Sequence, residues 1–120
     1  MDTGAGQDGA TPQLGRHLRL LAGKEIAFDS EDFFWEFDDW SEAAVRELAK
    51  EAGLETMTED HWKVIHFLRD FYAYNGRAPL NNKLKKGTGL SLLELEGLFP
   101  GGLKFGARRL AGLPNPKSCG

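Results

Sequence analysis

The chain has 120 residues, of which 41% are hydrophobic and 11% aromatic, a size and composition typical of one globular domain with a single core. Its single cysteine, Cys119, excludes an intramolecular disulfide and any zinc or iron–sulfur site with several cysteine ligands. The formal net charge of −3 hides a division, because residues 1–75 hold seven Lys and Arg against sixteen Asp and Glu, whereas residues 76–120 hold eight against two. The basic C-terminal part indicates either an anionic partner or attraction between the two parts of the fold.

We do not expect a secretion signal in the N-terminal residues. Residues 1–15 are rich in glycine and polar residues, which predicts a disordered tail and not the apolar run of a secretion signal. No stretch of the chain approaches the roughly 20 apolar residues that span a bilayer. We therefore expect a cytoplasmic protein without a membrane segment, in a compartment that keeps Cys119 as a free thiol.

A β-hairpin is predicted after the tail. Ile26 and Phe28 alternate with polar or small residues, and residues 33–37 form a second, aromatic run. The acidic residues 29–32 between the two runs suit a turn, so we predict that these two runs pair. Residues 17–23 are too few to predict as a helix. Because an isolated hairpin is only marginally stable, its aromatic face is expected to pack on helices.

Helices follow in the rest of the chain. Ser41 or Asp39, then Thr58, then Ser91 supply N-caps, and glycines supply stops. The predicted helices cover residues 42–52, 59–75, 81–86, 92–98 and 103–110, with the second as the central core helix. The predicted fold is α+β and mostly α: an N-terminal β-hairpin packed on a small helical bundle over residues 16–111, with a flexible C-terminal arm over residues 112–120.

The histidines do not indicate a metal site. His61 and His66 are five residues apart on one helix, so they do not share the face that an i, i+4 ligand pair occupies. We interpret His61 as a first-turn helix residue and His66 as a residue facing solvent or a neighbour. Neither a metal nor an organic cofactor is predicted.

Two further groups of residues have structural interpretations. The lysines within residues 83–86 are interpreted as a solvated basic face, with nucleic-acid binding as the less favoured alternative. We assign Trp35, Trp40 and Trp62 to the core and not to a stacking platform for bases, since most of the aromatic residues lie at strand or helix spacing.

The position of Cys119 makes it the candidate reactive residue. It follows Pro114 and Pro116, which stiffen an extended segment, and only Gly120 comes after it. From Gly112 the arm spans roughly 25 Å at about 3.3–3.6 Å per residue, enough to place the thiol in another protein's active site. The alternative is an incidental terminal cysteine.

Charged residues near the arm bear on the thiol in opposite ways. Arg108, Arg109 and Lys117 favour the thiolate or dock an anionic partner, whereas the terminal carboxylate of Gly120 disfavours the thiolate. Neither a second cysteine nor a histidine neighbouring Cys119 in sequence is present, so intrachain dithiol chemistry and protease-type catalysis both lack a component.

Several strings of residues resemble the DsrC/TusE family over about residues 26–120. They are Asp38-Asp39-Trp40, the segment 58–72, Ala78-Pro79, Leu98-Phe99-Pro100-Gly101-Gly102, and Leu110-Ala111-Gly112-Leu113-Pro114-Asn115-Pro116 followed by Cys119. The resemblance implies a hairpin packed on a helical bundle and a mobile arm whose penultimate cysteine carries sulfur as a persulfide. It also implies that DsrC proteins serving dissimilatory sulfite reductase have a second cysteine, at the position of Arg108 here.

The missing second cysteine places the chain with the single-cysteine, TusE-like members of the family. The resemblance then implies a sulfurtransferase that accepts sulfur from a TusBCD-like donor and passes it towards a tRNA 2-thiouridylase. Two alternatives stay open: a single-cysteine DsrC-like protein of dissimilatory sulfur metabolism, and a regulatory protein that binds nucleic acid or another protein and uses Cys119 as a sensor.

Overall fold

The computed structural model describes residues 15–115. A 3₁₀ turn over Phe37–Asp39 connects an N-terminal hairpin to the helices. The elements are the strands β1 (His17–Leu21) and β2 (Lys24–Phe28), the helices α1 (Glu42–Glu51), α2 (Glu59–Asn75), α3 (Asn81–Thr88) and α4 (Leu92–Leu98), and a final π-helix (Gly102–Arg108). The predicted α+β class, mostly helical with an N-terminal hairpin, is confirmed. Residues 1–14 of the predicted tail and residues 116–120 of the predicted arm lie outside the described part of the chain.

The hairpin contains the predicted run around Ile26 and Phe28 as β2, but β2 pairs with residues 17–21 and not with residues 33–37. β1 pairs antiparallel with β2, with His17 opposite Phe28. Ala22 and Gly23 connect the strands at positive φ angles of 52° and 80°, the two-residue turn that matches the twist of paired strands. Alanine seldom adopts such an angle. The turn has Ala-Gly in place of the Asn-Gly or Asp-Gly pair that usually indicates a hairpin in a sequence, and for this reason it was not predicted.

The aromatic run at residues 33–37, predicted as the second strand, is not a strand. Its only pairing within the described residues is a single bridge between Phe34 and Phe28 of β2. Phe33 and Phe34 are both buried although they are adjacent in sequence, whereas successive side chains of a strand point to opposite faces. Asp32, at a positive φ of 67°, turns the chain immediately before them.

The starts of α1, α2 and α4 confirm the predicted caps. Ser41, Thr58 and Ser91 each accept a hydrogen bond from the backbone N–H three residues later, and Ser41 rather than Asp39 caps α1. The central position of α2 is confirmed, since it packs against α3, α4 and the π-helix. Its fully buried apolar residues are Val64, Ile65 and Leu68.

The end of α3 differs from the prediction because Gly87 has a packing role. A Cβ on Gly87 would lie 2.1 Å from Cε1 of the Phe67 ring, so the glycine lets α3 approach α2 closely. The helix continues through Gly87 to Thr88, whose hydroxyl donates to the carbonyl of Leu84 at 2.7 Å. Gly89, at a φ of 76°, then ends it.

The last helix also differs, because residues 102–108 form a π-helix and not the start of an α-helix. Gly106 is buried, and a Cβ there would lie 2.4 Å from Cβ of Phe99. The π-helix therefore sits directly on the end of α4. Arg109 and Leu110 continue as one further helical turn.

The prediction that all three tryptophans lie in the core is wrong for one of them, Trp35. Trp35 is 37% exposed, because Phe33 and Phe34 just before it both face inward and Trp35 is left on the outside. Trp40 and Trp62 are half-buried and pack against the core.

Candidate functional site

The chain enters the predicted arm through a buried segment, residues 110–113, which we call the arm root. Leu110 and Leu113 are each 1% exposed, and Ala111 is fully buried. The N–H of Leu113 donates to the carbonyl of Arg108 at 3.2 Å, and the N–H of Gly112 donates to that of Arg109 at 3.1 Å. These two bonds, with Gly112 at a φ of 80°, make the glycine-ended helix terminus known as a Schellman motif. Pro114, the residue that follows the arm root, is exposed.

Two side chains that are distant in sequence, Trp40 and Arg69, hold the arm root. Nε1 of Trp40 donates to the carbonyl oxygen of Leu110 at 2.8 Å, and Nη1 of Arg69 donates to that of Ala111 at 2.9 Å. These carbonyls belong to the last helical turn, where backbone acceptors lack partners within the helix. Trp40 and Arg69 therefore satisfy the end of the last helix.

Arg69 is itself enclosed by aromatic rings. Its Cζ lies 3.9 Å from the ring centroid of Phe37 and 4.4 Å from that of Trp40, both within the range of cation–π contacts. Nη2 donates to the carbonyl of Phe37 at 3.2 Å. Burial lowers the pKa of Arg69, and the nearby carboxylates of Asp38 and Asp70 act in the opposite direction.

Gly112 allows this arrangement to close. A Cβ at this position would lie 2.9 Å from Nη1 of Arg69 and 2.9 Å from Cδ1 of Trp40. The positive φ adds strain for any residue with a side chain. The predicted helix stop at Gly112 is thus confirmed, and the glycine also leaves room for the two side chains that hold the arm root.

Beyond the arm root, Asn115 lies against the acidic turn, which we define as residues 29–32. Its Nδ2 donates to Oδ2 of Asp29 at 3.1 Å and to Oε1 of Glu31 at 2.5 Å. The other oxygen of Asp29, Oδ1, accepts from the backbone N–H groups of Glu31 and Phe33 at 2.8 and 3.0 Å. Asp29 therefore shapes the turn with one oxygen and contacts the arm with the other.

A cleft of about 550 Å³ opens beside the arm root. Two arginines, Arg77 and Arg108, line it, and no Asp or Glu of residues 15–115 does. We call it the basic cleft. Its wall is formed by Tyr72, Gly76, Arg77, Ala78, Pro79, Leu80, Arg108, Leu113, Pro114 and Asn115. The described part of the predicted arm thus forms one side of a basic cavity.

The two arginines singled out from the sequence lie in different surroundings. Arg108 lines the basic cleft. The Arg109 side chain instead donates from Nε to the carbonyl of Phe105 at 2.7 Å and from Nη1 to that of Asp32 at 3.4 Å. Burial lowers the pKa of Arg109, while Asp32 acts to raise it. Lys117 and Cys119 lie outside the described residues.

His61 and His66 lie where the sequence predicted, in the first turn of α2 and on its exposed surface. The N–H of Thr58 donates to Nδ1 of His61 at 3.0 Å, so Nε2 carries the ring proton and donates to the carbonyl of Leu98 at 2.7 Å. His66 is exposed and lies 3.4 Å from a carboxylate oxygen of Glu42. Over residues 15–115, no three His, Cys, Asp or Glu side chains are grouped as a metal site would require.

Sequence reasoning missed Trp40, Arg69 and Asn115 as residues that hold the arm. Trp40 and Arg69 precede the carbonyls they bind by 70 and 42 residues, and Asn115 follows Asp29 by 86. No local spacing links such distant partners. The available signal was an arginine beside the apolar stripe of α2, where it has to find buried partners.

The fold and the arm root define a small hairpin-and-helix domain that ends in a buried, anchored C-terminal segment. The family model described as DsrC-like protein matches residues 20–120. The chain belongs to this family, so the resemblance noted in the sequence is confirmed. None of the helices in the described range is long and apolar enough to cross a bilayer.

Relatives of known name come from two groups. The gamma subunit of dissimilatory-type sulfite reductase from Nitratidesulfovibrio vulgaris is 41% identical over 97 residues, covering 81% of this chain and 92% of that protein. Sulfurtransferase TusE from Sodalis glossinidius is 38% identical over 104 residues, covering 81% and 95%.

Solved structures agree with the fold. A crystal structure of dissimilatory sulfite reductase I (DsrI) contains a chain that matches with a TM-score of 0.81 at 38% identity, covering 87% of this chain and all of that one. The oxidized gamma subunit of the dissimilatory sulfite reductase from Archaeoglobus fulgidus matches with a TM-score of 0.75 at 32% identity, again covering 87% and 100%.

Proposed function

We propose that this protein is a sulfur carrier, a sulfurtransferase that accepts sulfane sulfur as a persulfide on Cys119 and passes it to a partner protein. The observation that carries the proposal is the family match through residue 120, because it includes the segment that holds the only thiol. Relatives named sulfurtransferase TusE cover 81% or more of the chain. We place the carrier in the cytoplasm, where reducing conditions keep the thiol free.

The transfer needs only thiolate exchange. The Cys119 thiolate attacks the outer sulfur of a donor cysteine persulfide, the bond between the two donor sulfurs breaks, and the donor thiolate leaves. Cys119 then carries the sulfur as a persulfide. In the second step an acceptor thiolate attacks that outer sulfur and Cys119 leaves as the thiolate. Sulfur moves without net oxidation or reduction, and no metal or organic cofactor takes part.

The basic cleft supports the proposal as the place where the carrier meets an anionic group. Arg77 and Arg108 line it, and neither has an ion-pair partner among residues 15–115. A guanidinium pair of this kind attracts a thiolate, a persulfide anion or an acidic surface of a partner. We assign anion binding to Arg108. Lys117, two residues from Cys119, adds a further positive charge in the same segment.

Arg108 also bears on how the sulfur leaves. The family resemblance implies that members with two cysteines hold their second thiol at this position. An arginine cannot attack a persulfide, so the sulfur leaves only when an acceptor from another protein attacks. We propose a one-thiol relay between two partner proteins and not an intramolecular redox cycle.

Two pairs of partners fit such a relay. In the first, a TusBCD-like protein donates and a tRNA 2-thiouridylase accepts, in line with the relatives named TusE. In the second, the partner is a sulfite-reductase-type complex, in line with the 41% identity to a gamma subunit of that enzyme. Arg108 favours the first pair. Sulfur loading from a purified TusBCD-like complex, compared with binding to the catalytic subunits of a sulfite reductase, decides between them.

Mass spectrometry of the intact protein tests the carrier function. The full chain is incubated with a cysteine desulfurase and cysteine, with and without the candidate donor proteins. We expect wild type to gain one sulfur atom and Cys119→Ser to gain none. A wild type that acquires no sulfur from any donor would falsify the proposal.

A further inference from the structure

The contact between Asn115 and the acidic turn is the last point at which the described chain is held to the fold. The backbone is fixed up to Leu113 by the core and by the helix terminus. Pro114 is exposed, and Asn115 is then held again by Asp29 and Glu31. The last contact between the described chain and the fold is therefore at residue 115 and not at residue 113.

The two hydrogen bonds use the whole donor capacity of the Asn115 amide. An amide nitrogen carries two hydrogens, and here each faces a different carboxylate. Hydrogen bonds to charged acceptors are stronger than those between neutral groups. The Asp29 carboxylate is oriented by the backbone N–H groups of Glu31 and Phe33, so the acceptor is already in place before the arm arrives.

We propose that Asn115 is a positioning residue that sets the reach of Cys119, through its contact with Asp29 and Glu31. Four residue steps separate Asn115 from Cys119, a span of about 14 Å at about 3.3–3.6 Å per residue. If the contact opens, the last held residue is Leu113, six steps from Cys119, and the maximum span rises to about 21 Å. This inference rests on the proposed carrier function for its purpose, although the contact itself does not depend on sulfur chemistry.

The longer span has a cost for transfer. The volume within reach grows as the cube of the span, so it increases about threefold when the contact opens. The effective concentration of the thiol at a partner docked on the basic cleft falls by about the same factor. The closed contact thus concentrates Cys119 near the cleft, and the open one lets it reach a more distant acceptor.

Backbone relaxation of the ¹⁵N-labelled full chain tests the contact directly, since Asn115 has an N–H and its neighbours Pro114 and Pro116 have none. In wild type we expect a rigid Asn115 amide, with an order parameter near about 0.85. In Asp29→Asn with Glu31→Gln, the backbone N–H groups keep the oxygen at position 29, so an amide NH₂ replaces Oδ2 opposite the arm, and position 31 loses its charge. The order parameter should then fall below about 0.6. The double variant Glu55→Gln with Glu96→Gln removes two exposed carboxylates elsewhere and should leave the value unchanged.

A second set of variants keeps the test decisive if the turn itself is disturbed. Asn115→Asp leaves the acidic turn unchanged and places a carboxylate against those of Asp29 and Glu31. It should therefore release the arm as fully as the double variant of the turn does. Combining it with Asp29→Asn and Glu31→Gln exchanges every donor and acceptor and should restore the rigid amide. An Asn115 amide that is mobile in wild type, or that stays rigid in both releasing variants, overturns the inference.

A nitroxide attached to Cys119 measures the reach. The label goes to one position only, because the chain has one cysteine. In the released variants, broadening should extend to backbone amides that it does not affect in wild type, and an unchanged pattern contradicts the reach argument. Neither readout involves sulfur transfer, so loss of persulfide formation in the mass spectrum would remove the carrier function without touching this result.

Discussion

The Nη1 group of Arg69 donates to the carbonyl oxygen of Ala111 at 2.9 Å, and this bond joins α2 to the arm root. The same guanidinium contacts the rings of Phe37 and Trp40 and donates to the carbonyl of Phe37. One side chain thus connects three segments that are distant in sequence.

Replacement of Arg69 by methionine should lower the free energy of unfolding by about 2–3 kcal/mol, because two half-buried carbonyls lose their donor. Urea denaturation monitored by circular dichroism measures the loss. Arg46→Met is the matched control, since Arg46 also lies over a tryptophan, 4.9 Å from the ring of Trp62, but is exposed and has no carbonyl partner among residues 15–115. The control should lose less than about 1 kcal/mol. Equal losses in the two variants would show that Arg69 acts only through its ring contacts.

Gly112→Ala should destabilise the protein more than Gly76→Ala does. Both glycines have a left-handed backbone, at φ angles of 80° and 75°, so alanine costs about 1–2 kcal/mol at either position. A Cβ at Gly76 meets nothing within 4 Å, whereas one at Gly112 lies 2.9 Å from Arg69 and from Trp40. The difference between the two unfolding free energies, about 1–2 kcal/mol, isolates the close approach. Identical losses would mean that the arm root shifts to accommodate the methyl group.

Local signals in the sequence were enough to predict the helices but not the hairpin. Ser41, Thr58 and Ser91 are read correctly because an N-cap acts on a backbone group three residues away. The turn at Ala22 and Gly23 was missed because alanine at a positive φ is tolerated here by pairing between β1 and β2, which a turn propensity does not register. At Ala22 the pairing of β1 with β2 outweighs the low preference of alanine for a positive φ.

At the candidate site, too, residues were predicted only where the signal lay nearby in the sequence. Arg108 was selected for its charge and its closeness to Cys119 in sequence, and it lines the basic cleft. Asn115 and Arg69 hold the arm through partners that only the folded chain brings near them. The close packing of Gly106 in the π-helix against Phe99 is likewise a contact that only the folded chain shows.

Gly106→Ala and Gly97→Ala should change stability in opposite directions. Gly97 lies on α4 with nothing within 4 Å of an added Cβ, so alanine should stabilise the fold by about 0.5–1 kcal/mol through helix propensity. At Gly106 the added Cβ would lie 2.4 Å from Cβ of Phe99, an atom that moves only with its backbone. We expect a loss of about 2–3 kcal/mol there. Thermal unfolding of both variants checks the signs, and a stabilised Gly106→Ala would contradict the packing described for the π-helix.

Arg108→Ala and Arg109→Ala should separate function from stability. The Arg108 side chain has no hydrogen-bond or ion-pair partner in the described part of the chain, so its removal should change the free energy of unfolding by less than about 0.5 kcal/mol. The Arg109 side chain donates to the carbonyls of Phe105 and Asp32, and its loss should cost about 1–2 kcal/mol.

Sulfur transfer should rank the same two variants in the opposite order. With a cysteine desulfurase as donor, persulfide formation on Cys119 should slow severalfold in Arg108→Ala, because Arg77 is then the one cationic residue of the range 15–115 that lines the basic cleft. Arg108→Lys retains the positive charge and should recover part of the rate, and raising the salt concentration should reduce the difference between wild type and Arg108→Ala. Arg109→Ala, assayed below its unfolding transition, should load sulfur at close to the wild-type rate. If Arg109→Ala loads sulfur more slowly and Arg108→Ala is unaffected, the anion-binding residue is Arg109 and not Arg108, and the basic cleft is not the anion site.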